Sequence, residues 1–249
     1  RLPADPDDHI HGTSGNVASS EPTRGGSAPD VKLYSANAAS YSDSDVLAAA
    51  DWALAGGAAG TGGGSSPLAE ILNGSYGPNT PTGVLDMMDR YYDYRVRAGI
   101  DNVVLSAGNA GLGSPVGHAG WNILLVGGID NNDDGDWTSD SMAWFSCTGN
   151  PSTGCEKPNV VASGVSVNTL GDGTVNAQGA GCPGITQPAA WLIDNYCGTS
   201  FSAPFTTANL ANTMVTGVGG GTVSAYPAAG IALMMATAWH NIEGASRLS

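Results

Sequence analysis

The chain has 249 residues, 41% apolar and 12% charged, which excludes a disordered polymer or a coiled coil and suffices for one substantial core. Gly occurs 37 times and Pro 14 times without a Gly-x-y period, so collagen is excluded and many tight loops are expected. Eight Lys and Arg against 22 Asp and Glu give a net charge of -14, which argues against nucleic acid and anionic membranes as partners.

In chain order, Val31 to Ser35 is a strand candidate. Ser42 to Leu54 follows as a helix capped by Ser42 or Asp43, then a Gly-rich loop over Gly56 to Ser66. Glu70 to Asn73 reads as a short strand, Thr82 to Ala98 as a helix, and Asn102 to Ala107 as a buried strand ending in Gly108-Asn109. Asn122 to Gly127, Met142 to Ser146 and Asn159 to Val167 are further strands. Phe201 to Thr216 and Pro227 to His240 are the last two helices, joined by a linker at Gly217 to Gly221. This alternation predicts an α/β fold, a parallel sheet covered on both faces. Ile231 to Trp239, the longest apolar stretch, is half of what a membrane-spanning helix needs, and the N-terminal residues lack a signal-peptide core, so a soluble chain is expected. Four Cys form two close pairs, Cys147 with Cys155 and Cys182 with Cys197, each able to close a small disulfide ring. Their spacing does not match a zinc ribbon, and an oxidising compartment is expected.

Three segments carry chemistry. Cys197-Gly198-Thr199-Ser200-Phe201-Ser202-Ala203-Pro204 puts a serine at a helix N-terminus, where free backbone N–H groups can stabilise a developing oxyanion. His11-Gly12-Thr13 puts a histidine at a turn-to-helix boundary, able to serve as general base. Val103-Val104-Leu105-Ser106-Ala107-Gly108-Asn109 delivers a carboxamide at the C-terminal end of a buried strand, where open α/β sheets bind ligands. Each in isolation is more readily read as an N-cap, a solvated histidine or a turn residue.

Together, in this order, they resemble the subtilisin-like serine peptidases (subtilases, peptidase family S8). The likeness extends to Ala28-Pro29-Asp30-Val31-Lys32-Leu33-Tyr34, to Ile71-Leu72-Asn73-Gly74-Ser75-Tyr76-Gly77, and to Lys157-Pro158-Asn159-Val160-Val161-Ala162-Ser163-Gly164, covering residues 9 to 240. The resemblance implies a single catalytic domain over residues 1–249 with a three-layer sandwich and a mostly parallel central sheet. It implies endopeptidase chemistry through an acyl-enzyme, with Ser200 as nucleophile, His11 as base, and Asn109 with the Ser200 N–H as oxyanion hole. An extended polypeptide substrate would pair with Asn73, Gly74, Ser75, Tyr76 and Gly77 and with Ser106, Ala107 and Gly108. The chemistry requires no cofactor. A secreted or cell-surface monomer, active on polypeptides and binding neither nucleic acid nor membrane, is expected.

The sequence departs from the family in three places. The family's triad Asp lies a few tens of residues before the His, but only ten residues precede His11, and Asp5, Asp7 and Asp8 are too close to serve. The chain is therefore expected to lack its N-terminal strand with the catalytic Asp, to be weakly active or inactive, and to have an exposed sheet edge or a core gap. A catalytically inactive subtilase-like binding or structural module is the alternative reading. Ser14-Gly15-Asn16 adds two residues before Val17-Ala18, requiring a later helix start or a bulge. Asn159 and Ser163 stand where the family has Asp and Pro.

Asp130 to Asp136 opens like a calcium loop, but Ser141 occupies the position of the bidentate Glu. A solvated turn is favoured and structural calcium is unsupported. His9-x-His11 is a weak metal pattern, and Asn73-Gly74-Ser75 a coincidental glycosylation sequon.

Overall fold

A computed structural model describes residues 8–36, 38, 40, 42–55, 69–78, 80–99, 101–171, 182, 186–189, 191–216 and 227–238. The segments 56–66 and 217–221, read as loop and linker, lie outside these residues, as do Asp5 and Asp7. The elements are α1 (Asp8–Ala18), α2 (Asp43–Ala55), β1 (Ile71–Gly74), α3 (Met87–Arg97), β2 (Asn102–Ser106), β3 (Leu124–Asp130), β4 (Ser141–Met142), β5 (Val160–Ser163), β6 (Val167–Leu170), β7 (Thr186–Ala189), β8 (Leu192–Tyr196), α4 (Thr199–Thr216) and α5 (Pro227–Thr237). Among the described residues no helix is long and apolar enough to cross a membrane.

The side-chain alternation of β2 and β3 builds three layers. Val103 and Leu105 of β2 and Leu125 of β3 pack with Ala50 of α2 and Met88, Tyr92 and Val96 of α3. The intervening Val104, Leu124 and Val126 point to the opposite face, against Ala203, Leu210 and Met214 of α4. Strands buried on both faces read as continuous apolar runs, which is why both were visible in the sequence. β1, β2, β3 and β5 are parallel, and β4 runs antiparallel to the end of β3. A second, antiparallel sheet has the order β6-β8-β7.

Several expected elements are corrected. Val31 to Ser35 is not a strand: no described strand lies beside it, and Leu33 and Tyr34 are exposed. α3 begins at Met87, five residues after the expected start, because Asp86 is an extended N-cap closing a capping box with Asp89. The strand expected over 142–146 stops at Met142, where the chain turns and Ser146 N–H donates to Ala143 C=O (2.9 Å). The one expected over 159–167 divides into β5 and β6, with Ser166 at φ 53° between them. Ser42 caps α2, its hydroxyl accepting from Asp45 N–H (3.3 Å).

Cys182 and Cys197 are disulfide-bonded, whereas Cys147 and Cys155 are free thiols, so only one of the two expected rings forms. Cys147 is buried, and its Sγ accepts the Ala110 N–H (3.3 Å). In the loop after β3, Asp130, Asp134 and Asp136 accept from backbone N–H groups two residues on, those of Asn132, Asp136 and Thr138.

On the α3 side the core is polar as well as apolar. Buried Arg95 donates to Asp101 Oδ2 (2.6 Å) and to Leu54 C=O (3.1 Å), tying α2, α3 and the start of β2 together. Lys157 is fully buried, and its Nζ donates to Ile123 C=O and Asn159 Oδ1, both at 2.8 Å. Asn159 is neutral, so desolvation dominates and pushes the lysine down to about 8 from its ordinary 10.5, although Cys155, Asp93 and Asp89 act in the opposite direction. A depressed lysine favours the folded state most when neutral. Its contribution is complete above about 10.5 and is lost as pH falls through about 8. Urea unfolding is therefore expected to show stability rising with pH across this window, and Asn159→Asp, which places a carboxylate on Nζ, is expected to flatten the rise. An equal slope in both proteins would show that Lys157 does not titrate in that window.

Candidate active site

Ser200 is the second residue of α4 and is buried. Pro204 lies inside the same helix and has no N–H, so it cannot bond the carbonyl four residues back, which is that of Ser200. The Ser75 hydroxyl takes this position, donating to Ser200 C=O at 2.7 Å. In return Ser200 Oγ donates to Ser75 C=O at 3.3 Å. A second tie lies about two turns further along α4, where Thr207 Oγ1 donates to Asn73 Oδ1 (2.9 Å) and Asn73 Nδ2 donates to Ser75 Oγ (3.0 Å). Both ends of the Asn73 carboxamide are thus bonded within the protein.

The Asn109 carboxamide is held in one orientation. Its Oδ1 accepts both the N–H and the hydroxyl of Thr199, each at 2.9 Å. That leaves Nδ2 as the outward donor. The Thr199 hydroxyl in turn accepts from Gly108 N–H (3.1 Å). Gly198, at φ 147°, sits where a Cβ would lie 3.4 Å from Asn109 Nδ2 and 3.7 Å from the Ser200 nitrogen. The absent side chain keeps open the space between two N–H donors, the space an oxyanion needs. Cys147 Sγ lies 3.1 Å from where a Cβ on Gly108 would be, so the free thiol packs directly beneath the loop that carries Asn109.

A cavity of about 780 Å³ runs past these groups. Ser200, Asn109, Gly108, Ser106, Asn73, Ser75, Tyr76 and Gly77 line it. Gly74 and Ala107 are buried and do not line it. A Cβ on Gly74 would meet Leu105 Cδ2 at 2.3 Å. Ala107 spends both backbone groups inside the fold, donating to Val126 C=O (2.9 Å) and accepting from Gly117 N–H (2.8 Å). Tyr76 projects inward to Tyr92, hydroxyl to hydroxyl, and burial pushes its phenol up to about 12. The cavity continues between β1 (Ile71, Leu72) and the segment Lys32 to Ala36, over Val46, Ala49 and Ala53 of α2. β1 pairs with β2, and no described strand pairs its other edge.

His11 is placed differently from the sequence expectation. α1 starts at Asp8, so His11 lies within its first turn and the helix continues unbroken through Ser14-Gly15-Asn16. Gly12 and Gly15 are tolerated because they form the close contact: Cβ atoms there would meet Phe201 at 2.9 Å and Thr169 at 2.8 Å. Thr169 Oγ1 also donates to Gly12 C=O (2.8 Å). His11 is half-buried, its Nδ1 is buried with no hydrogen-bond partner among the described residues, and it is not among the cavity-lining residues. His9, Ile10, Thr13 and Ser14 do line the cavity, and the His9 ring packs edge-on against Phe201, the residue after Ser200. Among the described residues no cluster of three His, Cys, Asp or Glu could hold a metal.

Thr199, Ser75 and Cys147 act on the site; Thr199 and Ser75 lie within the quoted motifs, but the sequence does not reveal the supporting roles of Thr199 and Cys147. The Thr199 and Cys147 contacts join residues 37 to 91 positions apart, a distance no local pattern reports.

A hydroxyl at a helix N-terminus, with two N–H donors converging on the space beside it and a long cleft running past, on an α/β sandwich, is the type of site a serine hydrolase has. Comparison with known proteins is specific: a profile of the Subtilase family (peptidase S8) matches residues 3–238, and the chain belongs to that family. A search of curated proteins gives no match. Among solved structures the fold is similar to the prenylagaramide maturation protease PagA (TM-score 0.60, 18% identity, 92% of this chain and 71% of that one). It is also similar to a cold adapted subtilisin-like serine proteinase (0.63, 18%, 97% and 71%) and to proteases from Pseudoalteromonas arctica PAMC 21717 (0.60, 17%, 91% and 70%).

Thr199→Val removes the hydroxyl that both donates to Asn109 and accepts from Gly108. Urea unfolding is expected to show a loss of about 1–3 kcal/mol, with faster hydrogen exchange at the Gly108 amide. Unchanged exchange at that amide would show that the loop is held by other contacts.

Proposed function

We propose that this chain is a serine endopeptidase domain that hydrolyses peptide bonds through an acyl-enzyme. Ser200 Oγ attacks the scissile carbonyl carbon and passes its proton to an imidazole, which returns it to the leaving amine; water then cleaves the resulting ester by the same route in reverse. Asn109 Nδ2 and the Ser200 N–H stabilise the oxyanion. What carries this reading is the space at Gly198, framed by those two donors beside the Ser200 hydroxyl. The polypeptide substrate enters as an extended strand along Ser75 to Gly77, and Ser106 and Gly108 wall the pocket beside it. The Cys182–Cys197 disulfide favours an extracellular setting.

His11 is the proposed base, and its partnerless Nδ1 is the atom that a triad carboxylate would accept from. We assign that carboxylate to an extended segment entering the groove beside the open edge of β1. One observation favours a second assignment of the base, since the His9 ring already faces the cavity against Phe201.

A fluorophosphonate probe tests the reading. Covalent labelling is expected at Ser200, abolished in Ser200→Ala and slowed about 10²–10³-fold in Asn109→Ala, the magnitude typical for one oxyanion donor. Loss of labelling in His11→Ala with retention in His9→Ala identifies His11 as the base, and the reverse pattern identifies His9. No labelling, even in a chain extended upstream by an Asp-bearing strand, would leave the inactive binding module as the function.

A further inference from the structure

We infer that His118, linked to Asp89, is a positioning residue that sets the substrate-binding segment at Tyr76; this rests on the peptidase reading above. His118 is buried in the loop between β2 and β3 and takes no part in the chemistry of Ser200. Its Nε2 lies 3.1 Å from Tyr76 C=O. A carbonyl only accepts, so Nε2 is the donor. Its Nδ1 lies 3.2 Å from Asp89 Oδ1, and a proton must therefore lie between ring and carboxyl for that contact to be attractive. Asp89 is itself buried and immobilised: it is the capping-box residue of α3, and its Oδ2 accepts Ala119 N–H at 2.9 Å.

The result is a buried strut running from the N-terminus of α3 through an imidazole to the backbone of the cleft wall. The same Tyr76 carbonyl also accepts from Ser106 Oγ (3.3 Å), so both proposed substrate-binding segments converge on it. The residue before His118 completes the link, with Gly117 N–H donating to Ala107 C=O at 2.8 Å. The His118 ring stands edge-on to the Tyr76 ring, centroids 5.9 Å apart, and fixes that side chain as well. Tyr76 lies between Ser75, which is bonded to Ser200, and Gly77 at the open end of the segment. Rotation of the Tyr76 peptide would turn away backbone groups that an added strand must meet. A small reagent attacking Ser200 alone does not meet them.

The test compares two probes on the same protein: a small alkyl fluorophosphonate, and a peptidyl diphenyl phosphonate that must first pair with the cleft wall. Both end with Ser200 Oγ bonded to phosphorus, with fluoride or phenoxide leaving. In His118→Phe the ratio of peptidyl to alkyl labelling rates is expected to fall about tenfold, with partial recovery in His118→Gln, which keeps one donor for Tyr76 C=O. An unchanged ratio in folded His118→Phe overturns the inference. If His118→Phe does not fold, the wild-type imidazole ¹⁵N–¹H resonances decide. A shift on peptidyl but not alkyl labelling supports the strut, and no difference between the two rejects it. If the alkyl probe labels neither the wild type nor the chain extended upstream by an Asp-bearing strand, the peptidase reading itself fails and this inference falls with it.

Discussion

The missing N–H of Pro204 organises the site. In an uninterrupted helix the Ser200 carbonyl would be consumed by the backbone four residues on; here it is left open and a side chain from outside the helix, Ser75, claims it. A buried carbonyl must find a donor, so the demand is strong. Because Ser200 Oγ donates back to Ser75 C=O, the helix terminus and the segment after β1 are linked in both directions. The Asn73–Thr207 bond repeats the link about two turns along. The geometry between nucleophile and cleft wall is thus set by one helix, and any movement of α4 carries both.

What was legible in the sequence follows from how local each signal is. β2 and β3 appear as apolar runs because both faces are buried, and α4 appears through a small-residue start followed by a helical pattern. β7, β8 and all of β6 beyond Val167 escaped notice because their register is irregular and Ser166 and Asn195 adopt positive φ, which no turn-rich tripeptide announces. Val31 to Ser35 has the composition of a strand without being one. Strand formation needs a neighbour's backbone, so composition alone cannot decide it. The start of α1 was misjudged for the opposite reason: the two residues added at Ser14 to Asn16 suggest a later start or a bulge, but Gly12 and Gly15 pack closely on Phe201 and Thr169 and the helix runs through.

Of the site residues, Ser200, Asn109 and the Ser75 to Gly77 segment were readable from ordered motifs and do line one cavity. Their orientation was not readable. Thr199 turns the Asn109 amide, Cys147 supports the loop from below, and His118 braces Tyr76, each across tens of residues. The Lys-Pro-Asn segment shows how a small departure acquires a physical consequence. With Asn159 rather than a carboxylate beside Nζ, the buried Lys157 has two neutral acceptors and a low pKa, where a charged partner would hold the proton in place.

Three features that look unrelated lie around one groove. Among the described residues β1 pairs along a single edge, Leu33 and Tyr34 are exposed in a segment of strand-like composition, and a cavity of about 780 Å³ separates that segment from β1. Packed interiors rarely leave such space, and open edges of parallel sheets are usually covered. One extended strand between β1 and residues 32–36 would satisfy all three at once, pairing the edge, filling the volume and giving the 31–35 run the partner it needs to become a strand. It would also run beside α1, whose Ile10 and Thr13 line the groove and whose His11 holds the partnerless Nδ1. The same insertion that repairs the sheet would therefore bring a side chain toward the helix that carries the proposed base, joining the stability of this fold to its chemistry.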